Sequence, residues 1–254
     1  MSNNRFIRRA GASLIVQKLT AKAVHERQLV KAGDRILIAV SGGKDSTVMA
    51  WALSSLRQAL KIEYELEAVH ISSDFCFCCK KESLAGHLKE WNIPFTELTV
   101  PIIGRLKEGR KMNCYWCSTQ RRTELIRYAL EKGFSKIALG HHLDDIIETF
   151  FMNMMNKGSL TAMPIYLEYR KYPLSLIRPL AYLEEKQIIS CAAEKNILKT
   201  TCTCPYGVNS SRRLVRDRIT AFTGNSGAVK RRILKSLSSG AEDLLMEGGA
   251  GETH

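Results

Sequence analysis

The sequence predicts an α/β fold, a doubly wound parallel sheet of the Rossmann-like kind with helical extensions at both ends. Three observations carry this. Short apolar runs alternate with longer stretches of helical periodicity along most of the chain. The first run, Arg35-Ile-Leu-Ile-Ala-Val40, is apolar at nearly every position, as in a strand buried on both faces of a parallel sheet. That run passes directly into the turn Ser41-Gly42-Gly43 and then into a helix.

Residues 1–33 read as a basic helical N-terminal segment, with Leu14, Ile15, Leu19, Val24 and Leu29 among lysines and arginines and Gly33 as its stop. Residues 34–195 form the sheet domain. Its strands are expected at 35–40, 66–72, 95–100 and 136–140, with a shorter one at 175–178. Its helices are expected at 45–60, 80–91, 117–132, 143–156 and 183–195, the first carrying Val48, Met49, Ala52 and Leu53 on one face. Between 157 and 174, Gly158, Pro164 and Pro173 break the pattern, so this stretch reads as a long functional loop. Residues 196–240 add cysteines, arginines and a closing helix that complete the site, and 241–254 form a disordered tail with nothing to pack on.

With 254 residues, 45% of them hydrophobic, the chain can bury a real core. No apolar run is long enough to span a bilayer, and the N-terminus is basic without an apolar leader, so the reading is soluble and cytoplasmic, with no membrane. The net charge of +13 points to an anionic polymer, and nucleic acid is the partner that fits. Charge gathers at both ends. Arg5, Arg8, Arg9, Lys18, Lys22, Arg27 and Lys31 face only Glu26 and Asp34, while Arg212, Arg213, Arg216, Arg218, Lys230, Arg231, Arg232 and Lys235 face Asp217 alone. Phosphate-backbone contact by these two segments is the reading preferred over a merely solvated surface.

Where Ala39 ends the first strand, Ser41-Gly42-Gly43-Lys44-Asp45-Ser46 has the makings of a phosphate cradle. The glycines let the backbone turn sharply and approach a ligand. The helix that follows offers unpaired N–H groups and a positive dipole end, with the hydroxyls of Ser41 and Ser46 and the Lys44 ammonium close by. The spacing is not that of a Walker loop, which disfavours γ-phosphate transfer. Ligands of such sheets sit beyond the C-terminal strand ends, where Ser41, Ser72, Ser73 and Gly140 emerge. Asp144 and Asp145 open a helix there, and two adjacent carboxylates can hold magnesium against phosphates. His141 and His142 both read as general acids near neutral pH, with packing around an adenine the alternative for His141 and a surface role the alternative for His142.

Eight cysteines in a cytoplasmic chain point to metal or redox chemistry rather than to disulfides. Cys114 and Cys117 lie three residues apart ahead of a helix, where the dipole favours thiolates. They fit half a zinc site, a redox pair or part of a cluster. Cys202 and Cys204 follow far downstream. If one of them completes the set, three ligands leave one position open, as an iron–sulfur centre that takes an exogenous sulfur requires. Cys76, Cys78 and Cys79 read as structural or exposed thiols, and Cys191 as core.

The Ser41–Ser46 segment resembles the PP-loop of the ATP pyrophosphatase family, whose members split ATP between the α and β phosphates and adenylate a substrate oxygen. The order of further elements narrows the likeness to the TtcA/TtuA group of tRNA thiolation enzymes, and within it to the TtcA type. These elements are Cys114-x-x-Cys117, then Gly140-His141-His142-Leu143-Asp144-Asp145, then Ile177-Arg178-Pro179-Leu180, then Cys204-Pro205-Tyr206. The resemblance implies a 4Fe-4S cluster on Cys114, Cys117 and Cys204, with Cys202 in reserve. It implies ATP held by Ala39, Ser41 to Ser46, Ser72, Gly140 and His141. Lys44, Arg121, Asp144 and Asp145 would be the catalytic groups, with Asp144 ahead of Asp145 and magnesium beside them. The group tends to place a lysine at the position of Arg121; arginine keeps the charge but does not deprotonate near neutral pH.

The implied activity is ATP-dependent tRNA sulfur transfer, preferably to the anticodon-loop cytidine at position 32. The terminal cysteine pairs expected of 2-thiouridine-forming relatives are absent, because the first thirty and last forty residues hold no cysteine. Partners would be tRNA and a sulfur donor, either sulfide or a cysteine desulfurase or sulfur carrier, and a homodimer is compatible with this. The alternatives are a TtuA-type 2-thiouridine synthetase, a cluster-free enzyme using a persulfide between Cys114 and Cys204, and a zinc-stabilised RNA-binding protein. Arg178, Arg212 and Arg213 read as phosphate or RNA-backbone contacts.

Overall fold

A computed structural model describes residues 11–60, 62–75, 81–197 and 210–238, without the side chains of residues 81, 210–213 and 238. Cys76, Cys78, Cys79, Cys202, Cys204, the side chains of Arg212 and Arg213 and the tail expected to be disordered lie outside that description. The chain runs α1 (Ala12–Glu26), β1 (Arg35–Ala39), α2 (Lys44–Ala59), β2 (Glu65–Ser73), α3 (Lys81–Glu90), β3 (Phe95–Val100) and α4 (Cys114–Glu131). It continues with β4 (Lys136–Ala138), α5 (Leu143–Lys157), β5 (Tyr166–Glu168), β6 (Ser175–Ile177), α6 (Glu185–Glu194), α7 (Ser210–Thr223) and α8 (Gly227–Ser238).

β1 occupies the middle of one six-stranded sheet of order β3-β2-β1-β4-β6-β5. Its neighbours β2 and β4 both run parallel to it, with Ile38 beside Ala68 on one side and Ala138 on the other. Successive side chains of a strand point to opposite faces, and β1 uses both for burial. Ile36 and Ile38 join Met49 and Leu53 of α2, Val16 and Ala23 of α1, and Ile188 of α6 on one face. Leu37 joins Leu125 and Tyr128 of α4 on the other. Helices on both faces of the parallel strands are what the sequence pattern predicts. The N-terminal helix is part of this core: Val16, Thr20 and Ala23 are buried. Cys191 is fully buried, and burial pushes its thiol up to about 11.

Three expectations need correction. The stretch 157–174 contains β5, an edge strand antiparallel to β6 that closes by a Tyr169 N–H to Leu174 O bond. A strand of three exposed residues is too short to show a period of two, which hides it in the sequence. Helix α4 begins at Cys114, because the Asn113 side chain caps it by accepting from the Trp116 N–H at 2.8 Å, so both thiols are inside its first turn. Finally, the C-terminal cations are not all presented to a partner. Arg216 pairs with Glu148 at 2.6 Å, Lys230 with Asp144 at 2.6 Å and Arg231 with Glu184 at 3.0 Å. Sequence reading matched them only against Asp217, but their acids lie on α5 and just ahead of α6, which α7 and α8 cover.

These pairs, with Val215, Ile219 and Leu234 packed on Leu143, Ile146 and Ile147, dock the C-terminal helices beside the strand ends. Lys230 is buried, so Lys230→Met would strand the Asp144 carboxylate. We expect a loss of about 3 kcal/mol in urea unfolding; an unchanged midpoint would show that apolar packing alone holds α8.

Candidate active site

β1 delivers its C-terminal end to the sheet edge, where the Val40 N–H still bonds Val69 O before the chain turns. Gly42 has φ +80°, the left-handed region that only glycine enters without strain. The turn is stitched to α2: the Ser41 N–H donates to Ser46 Oγ at 3.0 Å, and Ser46 Oγ donates to Gly43 O at 3.2 Å. No side chain caps α2, so its leading N–H groups remain for a ligand. Gly140, just after β4, presses against the same helical turn. A Cβ there would lie 2.9 Å from Ser46 Cα and N, so backbone meets backbone.

Between these loops and α4 lies a cavity of about 420 Å³. The predicted residues Ala39, Ser41, Asp45 and Ser46 line it from β1 and α2. Gly140, His141 and Asp145 line it from the next loop, and Arg121 from α4. Arg121 Nε is buried with no hydrogen-bond partner among the described residues. Ser118 and Arg122 also line it and were missed by sequence reasoning; their only signal is the helical spacing that puts them on the face of Arg121 and Leu125.

Other predicted residues stand elsewhere. Ser72 turns away from the cavity and donates to Glu97 Oε1 at 2.5 Å, while Val69 and Ile71 of the same strand face inward. The pleat puts alternate residues on opposite faces, which decides the matter. Lys44 Nζ reaches Glu185 at 2.9 Å and Asp45 at 3.1 Å. Burial would lower the Lys44 pKa, but these two carboxylates outweigh it and hold it above the usual lysine value. Glu185 has no local motif to announce it, since its partner is 141 positions away.

The two adjacent aspartates diverge. Asp145 accepts the His142 N–H at 3.1 Å and lines the cavity. Asp144 points the other way, accepting from Lys230 Nζ at 2.6 Å and the Glu185 N–H at 2.7 Å. Burial would raise its pKa, but Lys230 and that N–H together hold it below the usual carboxylate range. Of the two, placement brings Asp145 and not Asp144 to this cavity. His142 is buried at 3% exposure rather than at the surface, with Asp45, Asp144 and Asp145 at 3.9, 3.6 and 3.4 Å from its ring nitrogens. Arg178 is also interior, donating to Pro164 O, and burial with the nearby Arg122 pulls it down to about 10. An arginine so enclosed is not an RNA-backbone contact.

Residues 14–221 match the PP-loop domain. The chain belongs to the PP-loop family. Among its curated relatives, the tRNA-cytidine(32) 2-sulfurtransferase of Geobacter sulfurreducens is 33% identical over 229 residues, 88% of this chain and 89% of the relative. The enzyme of the same name from Syntrophotalea carbinolica is 36% identical, over 79% of this chain and 78% of its own. Among solved structures, the U34-tRNA thiolase NcsA from Methanococcus maripaludis, with its 4Fe-4S cluster, superposes with a TM-score of 0.75 at 23% identity. That match covers 95% of this chain and 81% of the other, and it shows the shared PP-loop fold.

The donor set of this PP-loop protein suits the groups its sequence implies. Cys114 and Cys117, neither in a disulfide, lie one helical turn apart, the first exposed and the second half-buried. They sit in the N-terminal turn of α4. The third expected ligand, Cys204, falls between α6 and α7, outside the described residues. No three His, Cys, Asp or Glu side chains among the described residues converge on one metal position.

The Gly140 contact yields a sharp expectation. Gly140→Ala forces two backbones apart at a cost of about 1–3 kcal/mol, so ATP affinity by calorimetry should fall about tenfold or more. Gly86→Ala on α3, where an added Cβ meets nothing, is the matched control and should leave ATP binding unchanged.

Proposed function

We infer that the chain is an ATP-dependent tRNA sulfurtransferase that converts the cytidine at position 32 to 2-thiocytidine. One observation carries the reading. A single cavity is bounded on one side by the glycine turn and on the other by α4, the helix that opens with Cys114 and Cys117, an arrangement that supports activation and sulfur delivery at one base. The relatives of that name, aligned over most of both chains, support the choice of base.

ATP enters with its phosphates on the leading N–H groups of α2, and Lys44 exchanges Glu185 for the phosphate charge. The C2 oxygen of the base attacks the α-phosphorus, the α–β phosphate bond breaks, and pyrophosphate leaves. Arg121 and Arg122, which line the cavity, would offset charge on the adenylated base, and Asp145 would help hold magnesium, which would neutralise phosphate charge. Sulfide then adds at C2 and the C2–O bond breaks, so AMP departs with the oxygen. A 4Fe-4S cluster on Cys114, Cys117 and Cys204 would supply the open iron position that presents the sulfur. The donor behind it is sulfide or a cysteine desulfurase or carrier. The target base must leave its stack to reach the cavity.

The test is reconstitution with ATP, magnesium, sulfide and unmodified tRNA, read by mass spectrometry of nucleosides. 2-Thiocytidine should accumulate, and the anaerobic protein should be brown. Asp145→Asn should lower the rate by about 10²–10³ with less effect from Asp144→Asn. A colourless, iron-free preparation that is fully active would exclude the cluster; 2-thiouridine as product would exclude the choice of base.

A further inference from the structure

The connection between β3 and α4, residues 101–113, folds over the first turn of α4 and leaves a second cavity of about 360 Å³ outside the nucleotide site. Its walls include Lys107, Arg110, Lys111, Tyr115 and Trp116. Arg105 of the same loop is bound to Glu124 at 2.7 Å, whereas among the described residues Lys107, Arg110 and Lys111 make no ion pair. Glu108 is the one acid in this connection. Three unpaired cations thus converge on one concave surface.

The two aromatic residues there have opposite states. Trp116 is half-buried against the sheet, its Nε1–H donating to Ile102 O at 3.1 Å, and so forms a fixed floor. Tyr115 is 81% exposed. A tyrosine serving the core would bury its ring; this one offers a flat face to solvent beside unpaired positive charge. Cations that follow a backbone and an aromatic face on which a base stacks are how single-stranded nucleic acid is held. An acidic protein would satisfy the cations but leave the ring without a planar partner. Geometry also links this groove to the chemistry. Ser118 and Arg122 lie three and seven residues beyond Tyr115 on the same helical face, and both line the nucleotide cavity.

We propose that this groove holds the unpaired RNA adjoining the target base, with a neighbouring base stacked on Tyr115 and phosphates on Lys107, Arg110 and Lys111. The proposal rests on the tRNA reading above. It assigns RNA positioning to a loop in the middle of the chain, apart from the basic termini.

Binding of a fluorescent anticodon stem-loop RNA to the reconstituted protein tests it, with ATP affinity and tRNA thiolation measured in parallel. Tyr115→Ala should weaken RNA binding about tenfold and Tyr115→Phe should restore it. The Lys107→Ala, Arg110→Ala, Lys111→Ala triple variant should flatten the slope of log affinity against log salt by about 2. ATP affinity should be unchanged in all of them. If the wild type binds and thiolates RNA while these variants match its affinity and slope, the groove proposal fails and the tRNA reading stands. If the wild type thiolates no tRNA, both fail. Intact RNA binding with sulfur transfer lost only from an acidic carrier protein would make the groove a protein dock and overturn the proposal.

Discussion

The close approach of Gly140 to Ser46 is the constraint on which the rest of the site depends. β1 and β4 are adjacent parallel strands, so their C-terminal ends release two loops side by side. Only because position 140 lacks a side chain can the second loop lie against the first turn of α2. That contact brings His141 and Asp145 to the cavity whose other wall is Ser41 and Ser46. Move the loops apart by one methyl group and the carboxylate no longer faces the helix end that receives the phosphates.

A second layer of order is electrostatic. Acids on α5 and at the start of α6 each hold a cation from elsewhere: Asp144 takes Lys230, Glu148 takes Arg216, Glu184 takes Arg231 and Glu185 takes Lys44. Most of these groups are buried or nearly so, where an unpaired charge is costly. The arrangement settles where α7 and α8 lie against α5 and α6. It also explains why counting charges overstated the basic face: part of the C-terminal positive charge is internal cement.

The architecture was legible because it follows from local patterns. A fully apolar run reads as a central strand, and the Gly42-Gly43 turn as a ligand-facing connection, before any coordinates are seen. The cavity residues Ser41, Ser46, Gly140, His141 and Asp145 were readable for the same reason, lying at strand ends. What stayed hidden depends on distant partners or on pleat. Glu185 cannot be matched to Lys44 across 141 residues. Ser72 and Ile71 are adjacent in sequence but face opposite sides of the sheet. His142 and Arg178 look like surface groups in a string of letters, and only the packing of α5 and the β5–β6 edge over them makes them interior.

The pairing of Lys44 with Glu185 has a consequence for how this sequence can change. Lys44 opens α2, where a cation opposes the positive end of the helix dipole. Glu185 acts there as a built-in counter-anion to Lys44. Any incoming ligand competes with that carboxylate rather than with water. Drift at position 185 would alter both the stability of the empty protein and its selectivity for highly charged ligands, which binds two remote positions into one unit of selection.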